Sequence, residues 1–197
     1  MNENHATLCS SPEWATHLQE EVLPFFLTNA SLGDDVLEIG PGPGAATQWL
    51  AKRVRSLVAI EVSPEAAHLL AQQYVGTNVT VLTGDASQTD FADNSFDTVA
   101  SFTMLHHVPT TPLQNAILSE AFRVLRPGGE LIGSDSLASN ELHLFHSCDT
   151  YNPIEPAALL VRLQSIGFLP ITMVVDWNLK FVARKPDGTN ESDDESK

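Results

Sequence analysis

From residue 35 onward the chain alternates short apolar runs with longer stretches in which apolar positions recur every three or four residues. The runs Asp35–Ile39, Ser56–Glu61, Val79–Thr83, Phe96–Phe102 and 130–134 read as buried strands, being brief, apolar and set off by turn-forming residues. Between them the helical period predicts helices over 45–54, 64–74 and 112–125. The last begins with Thr111-Pro112-Leu113-Gln114, which fits a capping box. Strands and helices alternating in this way build a parallel sheet covered by helices. Near its end the chain breaks that rhythm. A helix over 155–166 stops at Gly167, and strands over 169–175 and 179–184 flank a turn at Asp176-Trp177-Asn178. So short a connection permits only antiparallel pairing, and one strand of the sheet is expected to run backwards. At the other end, Ser11 can cap a helix that starts at Pro12 and carries Trp14, Leu18, Val22 and Phe25 on one face. Pro24 is expected to kink or end it.

These elements divide the 197 residues into an N-terminal helical cap over 1–30, one α/β domain over 31–186 and an acidic tail over 187–197 that is expected to be disordered. An apolar content of 43% suits a folded globular chain, and no apolar run approaches the roughly 20 residues of a membrane span. The start, MNENHATLCS, lacks the basic and apolar regions of a secretory signal, and Cys9 and Cys148 give no disulfide framework, so a cytoplasmic location is expected. The formal charge of −15 repels phosphate backbones, so nucleic acid is not expected as a partner. Lys52-Arg53-Val54-Arg55, the one concentrated basic stretch, reads as the solvated end of a helix.

Candidate chemistry starts where the first strand runs into Gly40-Pro41-Gly42-Pro43-Gly44. Glycines there let a ligand approach the backbone, and the following helix offers unpaired N–H groups. Taken alone, the turn suits any nucleotide-like ligand, and Gly40-x-Gly42-x-x-Ala45 also satisfies a dinucleotide fingerprint. Glu61, ending the second strand 21 residues on from Gly40, can accept both ribose hydroxyls in either reading. What separates the readings is Gly84-Asp85-Ala86 after the third strand, Phe96-Asp97-Thr98-Val99 opening the fourth, and Arg126-Pro127-Gly128-Gly129-Glu130-Leu131 leading into the fifth.

In their order and spacing these motifs resemble the class I S-adenosylmethionine-dependent methyltransferases, in particular the small-molecule, type 11-like branch. The resemblance runs from residue 35 to about 135, and the C-terminal hairpin fits that family's reversed seventh strand. It implies a Rossmann-like seven-stranded sheet of order 3-2-1-4-5-7-6 with helices on both faces. It also implies residue roles. Glu38, Gly40, Gly42 and Gly44 would face the methionine part of S-adenosylmethionine, and Ser101 would offer a backbone oxygen to its ammonium. Glu61 would take the ribose, Val62 would lie against the adenine, and Asp85 would accept the adenine amino group beside Ala86. S-adenosylhomocysteine would be the product.

The sulfonium activates its own methyl group, so the chain needs mainly to align donor and acceptor and to exclude water. A hydroxyl acceptor alone would call for a base. His106 and His107, in the loop after the fourth strand, are candidates, with at most one facing the reacting atoms. His143 is a third, in a substrate-wall segment running from Asp135 through His146, Cys148 and Asp149 to Tyr151. The spacing of His143, His146, Cys148 and Asp149 follows no recognised ligand pattern, and no metal is expected. Ser101-Phe102-Thr103-Met104 is neither the Asn/Asp-Pro-Pro-aromatic run of base-methylating enzymes nor the aspartate end of magnesium-dependent catechol types. The expected activity is direct methyl displacement onto an oxygen, nitrogen or carbon of a small molecule. The short chain leaves room for a homodimer that completes the acceptor pocket. Two rivals stand beside this reading: an NAD-dependent oxidoreductase and a non-catalytic methyltransferase-like binding protein.

Overall fold

The computed structural model of the chain describes residues 7–188, so most of the expected tail lies outside it. Seven strands, β1 (Asp35–Ile39), β2 (Ser56–Glu61), β3 (Val79–Thr83), β4 (Phe96–Phe102), β5 (Leu125–Ser136), β6 (Ile171–Val175) and β7 (Asn178–Arg184), form one sheet. Its order is β3-β2-β1-β4-β5-β7-β6, as the resemblance implies. The strands from β3 to β5 pair in parallel, and β7 runs antiparallel to both of its neighbours.

Period-two alternation sends each central strand's side chains into two separate apolar layers. One layer gathers Leu37, Ile39, Val99, Leu131 and Phe181 against Ile117, Leu118 and Ala121 of helix α5 (Thr111–Val124) and Leu159 and Leu163 of α7 (Pro156–Ile166). The other gathers Val36, Leu57, Ala100, Ile132 and Val182 against Trp49 and Leu50 of α3 (Ala45–Ala51) and the N-terminal helices. Helices therefore cover both faces. Helix α4 (Pro64–Gln73), between β2 and β3, and the short α6 (Asn140–Phe145) complete the set.

One local detail sharpens the sequence expectation and two depart from it. The regular N-terminal helix is interrupted ahead of Pro24: α1 (Pro12–His17), capped by the Ser11 hydroxyl, passes through a wide π-helical turn at Leu18–Val22, and α2 (Pro24–Asn29) starts at the proline. A proline at the first turn of a helix lacks only an N–H that has no intrahelical partner there, so the chain restarts on it. Helix α5 is capped by Thr110, whose hydroxyl accepts from the Leu113 N–H, and not by a box ending at Gln114. Finally, β5 begins at Leu125, and the Pro127-Gly128-Gly129 stretch is absorbed as an irregularity in its pairing with β4.

Arg126 and Asp97 have structural work at that irregularity. The two side chains form an ion pair, while the Asp97 carboxylate accepts the backbone N–H groups of Asp34 and Asp35 at 2.9 Å each. This ties the entry of β1 to the starts of β4 and β5.

Candidate active site

A cavity of about 590 Å³ opens beyond the carboxyl ends of β1, β2, β3 and β4. Open α/β sheets bind ligands there, because the strand ends and the helix starts that follow present free backbone groups. Trp14 and Leu18 from the N-terminal helices close one side, and Asp149 and Thr150 contribute from the segment after α6. Those are the two regions from which the sequence reading draws the lid and wall.

The glycine turn forms part of the lining, and two of its glycines serve different ends. Gly40 (φ 64°) has Met104 packed where a β-carbon would stand. Gly42 (φ 52°) has nothing within 4 Å of that position, so its backbone faces open cavity. Both conformations lie in the left-handed region that glycine adopts without cost. Gly44 caps α3 in the same region but lies behind the lining, with Leu70 against it.

Two glutamates stand on either side of this turn. Glu38, in β1, is buried and accepts a hydrogen bond from the Thr47 hydroxyl at 2.6 Å. Loss of water pushes its carboxyl from the ordinary 4.5 up to about 7, against the lowering effect of Thr47. Glu61 ends β2, with one carboxylate oxygen accepting the Gly42 N–H at 3.3 Å and the other the Ser63 N–H at 2.9 Å. Next to it Val62 is 73% exposed although apolar, with its surface on the cavity. Asp85 and Ala86 line the same end, and the Asp85 carboxylate accepts the Ser87 N–H at 2.8 Å in a turn of its own. Ser101 is buried within β4 and does not reach the lining. Phe102 and Thr103, the next two residues, do. Thr103 adopts φ 50°, an uncommon conformation for a β-branched residue, and its N–H donates to the Ser134 carbonyl at 2.7 Å.

The histidines separate. A 3₁₀ turn over Leu105–His107 turns His106 inward, where its Nδ1 lies 2.6 Å from Asp135 at the end of β5, while His107 lines the cavity. Asp135 is fixed in turn by the N–H groups of His106 and Ser136. His143 is exposed on α6 and outside the lining. It is His146 that packs against the pair, with ring centroids 5.1 Å from His106 and 5.4 Å from His107. Sequence reading places Asp135 and His146 only in a general substrate wall. The signal for more is the sheet order, which sets the ends of β4 and β5 side by side.

Residues 37–133 match the family model described as a methyltransferase domain. Residues 37–133 form a domain of this methyltransferase family. Among relatives of the domain, chondramide synthase cmdD of Chondromyces crocatus is 36% identical over 118 residues, covering 57% of this chain and 3% of that protein. Ribosomal RNA small subunit methyltransferase A of Moorella thermoacetica is 35% identical over 103 residues, covering 47% of this chain and 36% of the relative. The chain thus spans well under half the length of these relatives. Among solved structures, a Haemonchus contortus phosphoethanolamine N-methyltransferase 2 in complex with phosphomonomethylethanolamine and S-adenosylhomocysteine shares this domain's fold. It aligns with a TM-score of 0.74 at 16% identity, over 94% of this chain and 59% of that one.

Proposed function

We propose that the chain is an S-adenosylmethionine-dependent methyltransferase that transfers the methyl group by direct displacement onto a small-molecule acceptor. One observation carries the reading. A single cavity joins Asp85, Val62 and Glu61 at one end, through the Gly40–Gly42 backbone and Glu38, to His107 at the other. Its volume of about 590 Å³ lies within the usual range for a cofactor and small-ligand site. The donor set fits the cofactor's parts in order. The exposed apolar Val62 would offer a face to the purine, Glu61 would offer carboxylate oxygens to vicinal hydroxyls, and the Glu38 carboxyl would face the cationic methionine end.

When bound, the sulfonium supplies the activated methyl group. The residues supply position and dryness: the glycine turn brings backbone close to the donor, and Trp14 and Leu18 shield it from water. For a hydroxyl acceptor, His107 is the imidazole on the wall that can take its proton, with His106 and Asp135 behind it. The acidic chain, at −15, supports a small acceptor over a polyanionic one, even though several relatives bear the name of a ribosomal RNA enzyme.

Calorimetry with S-adenosylmethionine, paired with a screen for S-adenosylhomocysteine release over metabolite pools and over RNA, tests this. The expected outcome is cofactor binding that Glu61→Ala weakens at least tenfold, with release only from the metabolite pools. Binding of NAD in place of S-adenosylmethionine would overturn the cofactor, and release driven by RNA alone would overturn the acceptor. Cofactor binding with no release from any pool would favour a non-catalytic binding protein.

A further inference from the structure

The histidines at the cavity wall offer a use that is an alternative to proton transfer by His107. One ring nitrogen from each of His106, His107 and His146 falls within 4.8 Å of the others. We propose that these three side chains bind one divalent transition-metal ion of the zinc class, with its open coordination position facing the cavity.

Ring orientation supports three nitrogen ligands. His106 Nδ1 is 2.6 Å from the Asp135 carboxylate, and in the tautomer whose Nδ1–H donates to that carboxylate the lone pair lies on Nε2. A carboxylate behind a histidine in this way fixes the tautomer and raises the basicity of the coordinating nitrogen. His146 is held alike, its Nδ1 2.7 Å from the Leu142 carbonyl, and its ring lies stacked on Tyr151 at 4.4 Å. In both rings Nε2, the nitrogen opposite the Nδ1 partner, is the atom a metal would take.

Two of the three ring-centre spacings are near those of a tetrahedral centre, and the nitrogens, within 4.8 Å of one another, would close to about 3.4 Å on binding. With zinc–nitrogen bonds of about 2.1 Å, three imidazoles on one ion have ring centres about 5 Å apart. His146 lies at 5.1 Å from His106 and 5.4 Å from His107. His106 and His107, at 4.0 Å, must open by about 1 Å. His107, the half-buried ring on the cavity wall, is the one that would make this movement. Three neutral ligands leave a fourth position, as in catalytic zinc sites, and His107 directs it into the cavity. There it would take an oxygen of the acceptor, a role that rests on the methyl-transfer reading above.

The test is metal uptake by untagged, chelator-stripped protein in a Cys9→Ser, Cys148→Ser background, which removes both competing thiols. Zinc is titrated by calorimetry, and cobalt is followed by its visible absorption. We expect one ion per chain and a cobalt spectrum of low coordination number. His106→Gln and His146→Gln each lower affinity at least 100-fold, Asp135→Asn lowers it roughly 10- to 100-fold, and His143→Gln leaves it unchanged. Circular dichroism establishes that each variant is folded. Should the buried variants unfold, His107→Gln carries the test, because zinc raises the melting temperature of the parent protein and not of this variant. No stoichiometric uptake by the parent protein overturns the site, as does uptake unchanged in His106→Gln/His146→Gln or equal loss in His143→Gln. The titrations need neither cofactor nor acceptor, so failure here leaves the methyltransferase reading standing, and failure of that reading leaves the metal site standing.

Discussion

At the scale of the residue, Glu38 couples the cavity to pH. Burial raises its carboxyl to about 7, so the free protein near neutrality holds it part protonated. A raised carboxyl favours the folded state on the acid side. The stability it lends is full below about 4.5 and is lost as pH rises through about 7. A cationic ligand beside it favours the ionised form and must expel the remaining proton. S-adenosylmethionine is therefore expected to bind more tightly by roughly an order of magnitude between about pH 5.5 and about pH 7.5. Calorimetry in two buffers of different ionisation enthalpy reads both the affinity and the released proton. Glu38→Gln should flatten the profile, and Thr47→Val, by removing the hydroxyl that favours ionisation, should move it to higher pH. A profile unchanged in Glu38→Gln would assign the proton to another group. Glu38, Gly40, Gly42 and Glu61 were legible in the sequence because they lie within, or one strand away from, a local turn pattern. The joining of His106, Asp135 and His146 was not. It draws on a turn, a strand end and a helix end that meet only once the sheet is ordered.

Among the elements, helix α5 shows where pattern and packing compete. Thr111-x-x-Gln114 fits a capping box, yet Gln114 is buried and its amide donates to the carbonyls of Leu105 at 2.9 Å and Asn152 at 3.0 Å. Its oxygen accepts from Arg162 of α7 at 2.9 Å. The side chain faces inward because two loop carbonyls and one guanidinium there lie out of water and need partners, a demand that exceeds the gain from a helix cap. One residue thus binds the His106–His107 turn, the loop before α7 and α7 itself. Gln114→Ala is expected to cost about 2–4 kcal/mol, against about 1 kcal/mol for Thr110→Ala at the true cap. In thermal unfolding the first should lower the melting temperature by roughly 5–12 °C and the second by only a few degrees. Equal shifts would show that Gln114 acts as no more than a cap. Strand positions and the reversed hairpin followed from short apolar runs and turn length, because central strands buried on both faces are apolar almost throughout. The π-helical turn at Leu18–Val22 and the early start of β5 did not, since both are set by contacts with distant segments.

For the whole molecule the governing quantity is the charge of −15. A field of that sign attracts cations and repels polyanions, and salt screens it over about 10 Å at 0.1 M. On the proposed function, methyl transfer would change the charge of what the cavity holds. S-adenosylmethionine carries about +1 near neutral pH, whereas S-adenosylhomocysteine, having lost the sulfonium, is close to neutral. The two molecules differ only by the methyl group and that charge, so the protein's field would distinguish substrate from product in the direction that aids turnover. Raising salt from about 20 mM to about 500 mM should weaken donor binding by roughly three- to tenfold and leave product binding nearly unchanged. Calorimetric titration of both ligands at the two salt concentrations measures this, with the product as its own control. Parallel salt dependence would mean that the donor's charge is read only by close contacts such as Glu38. The divergent result would make the acidic surface part of the catalytic cycle, holding the charged donor and releasing the product once the charge has left with the methyl group.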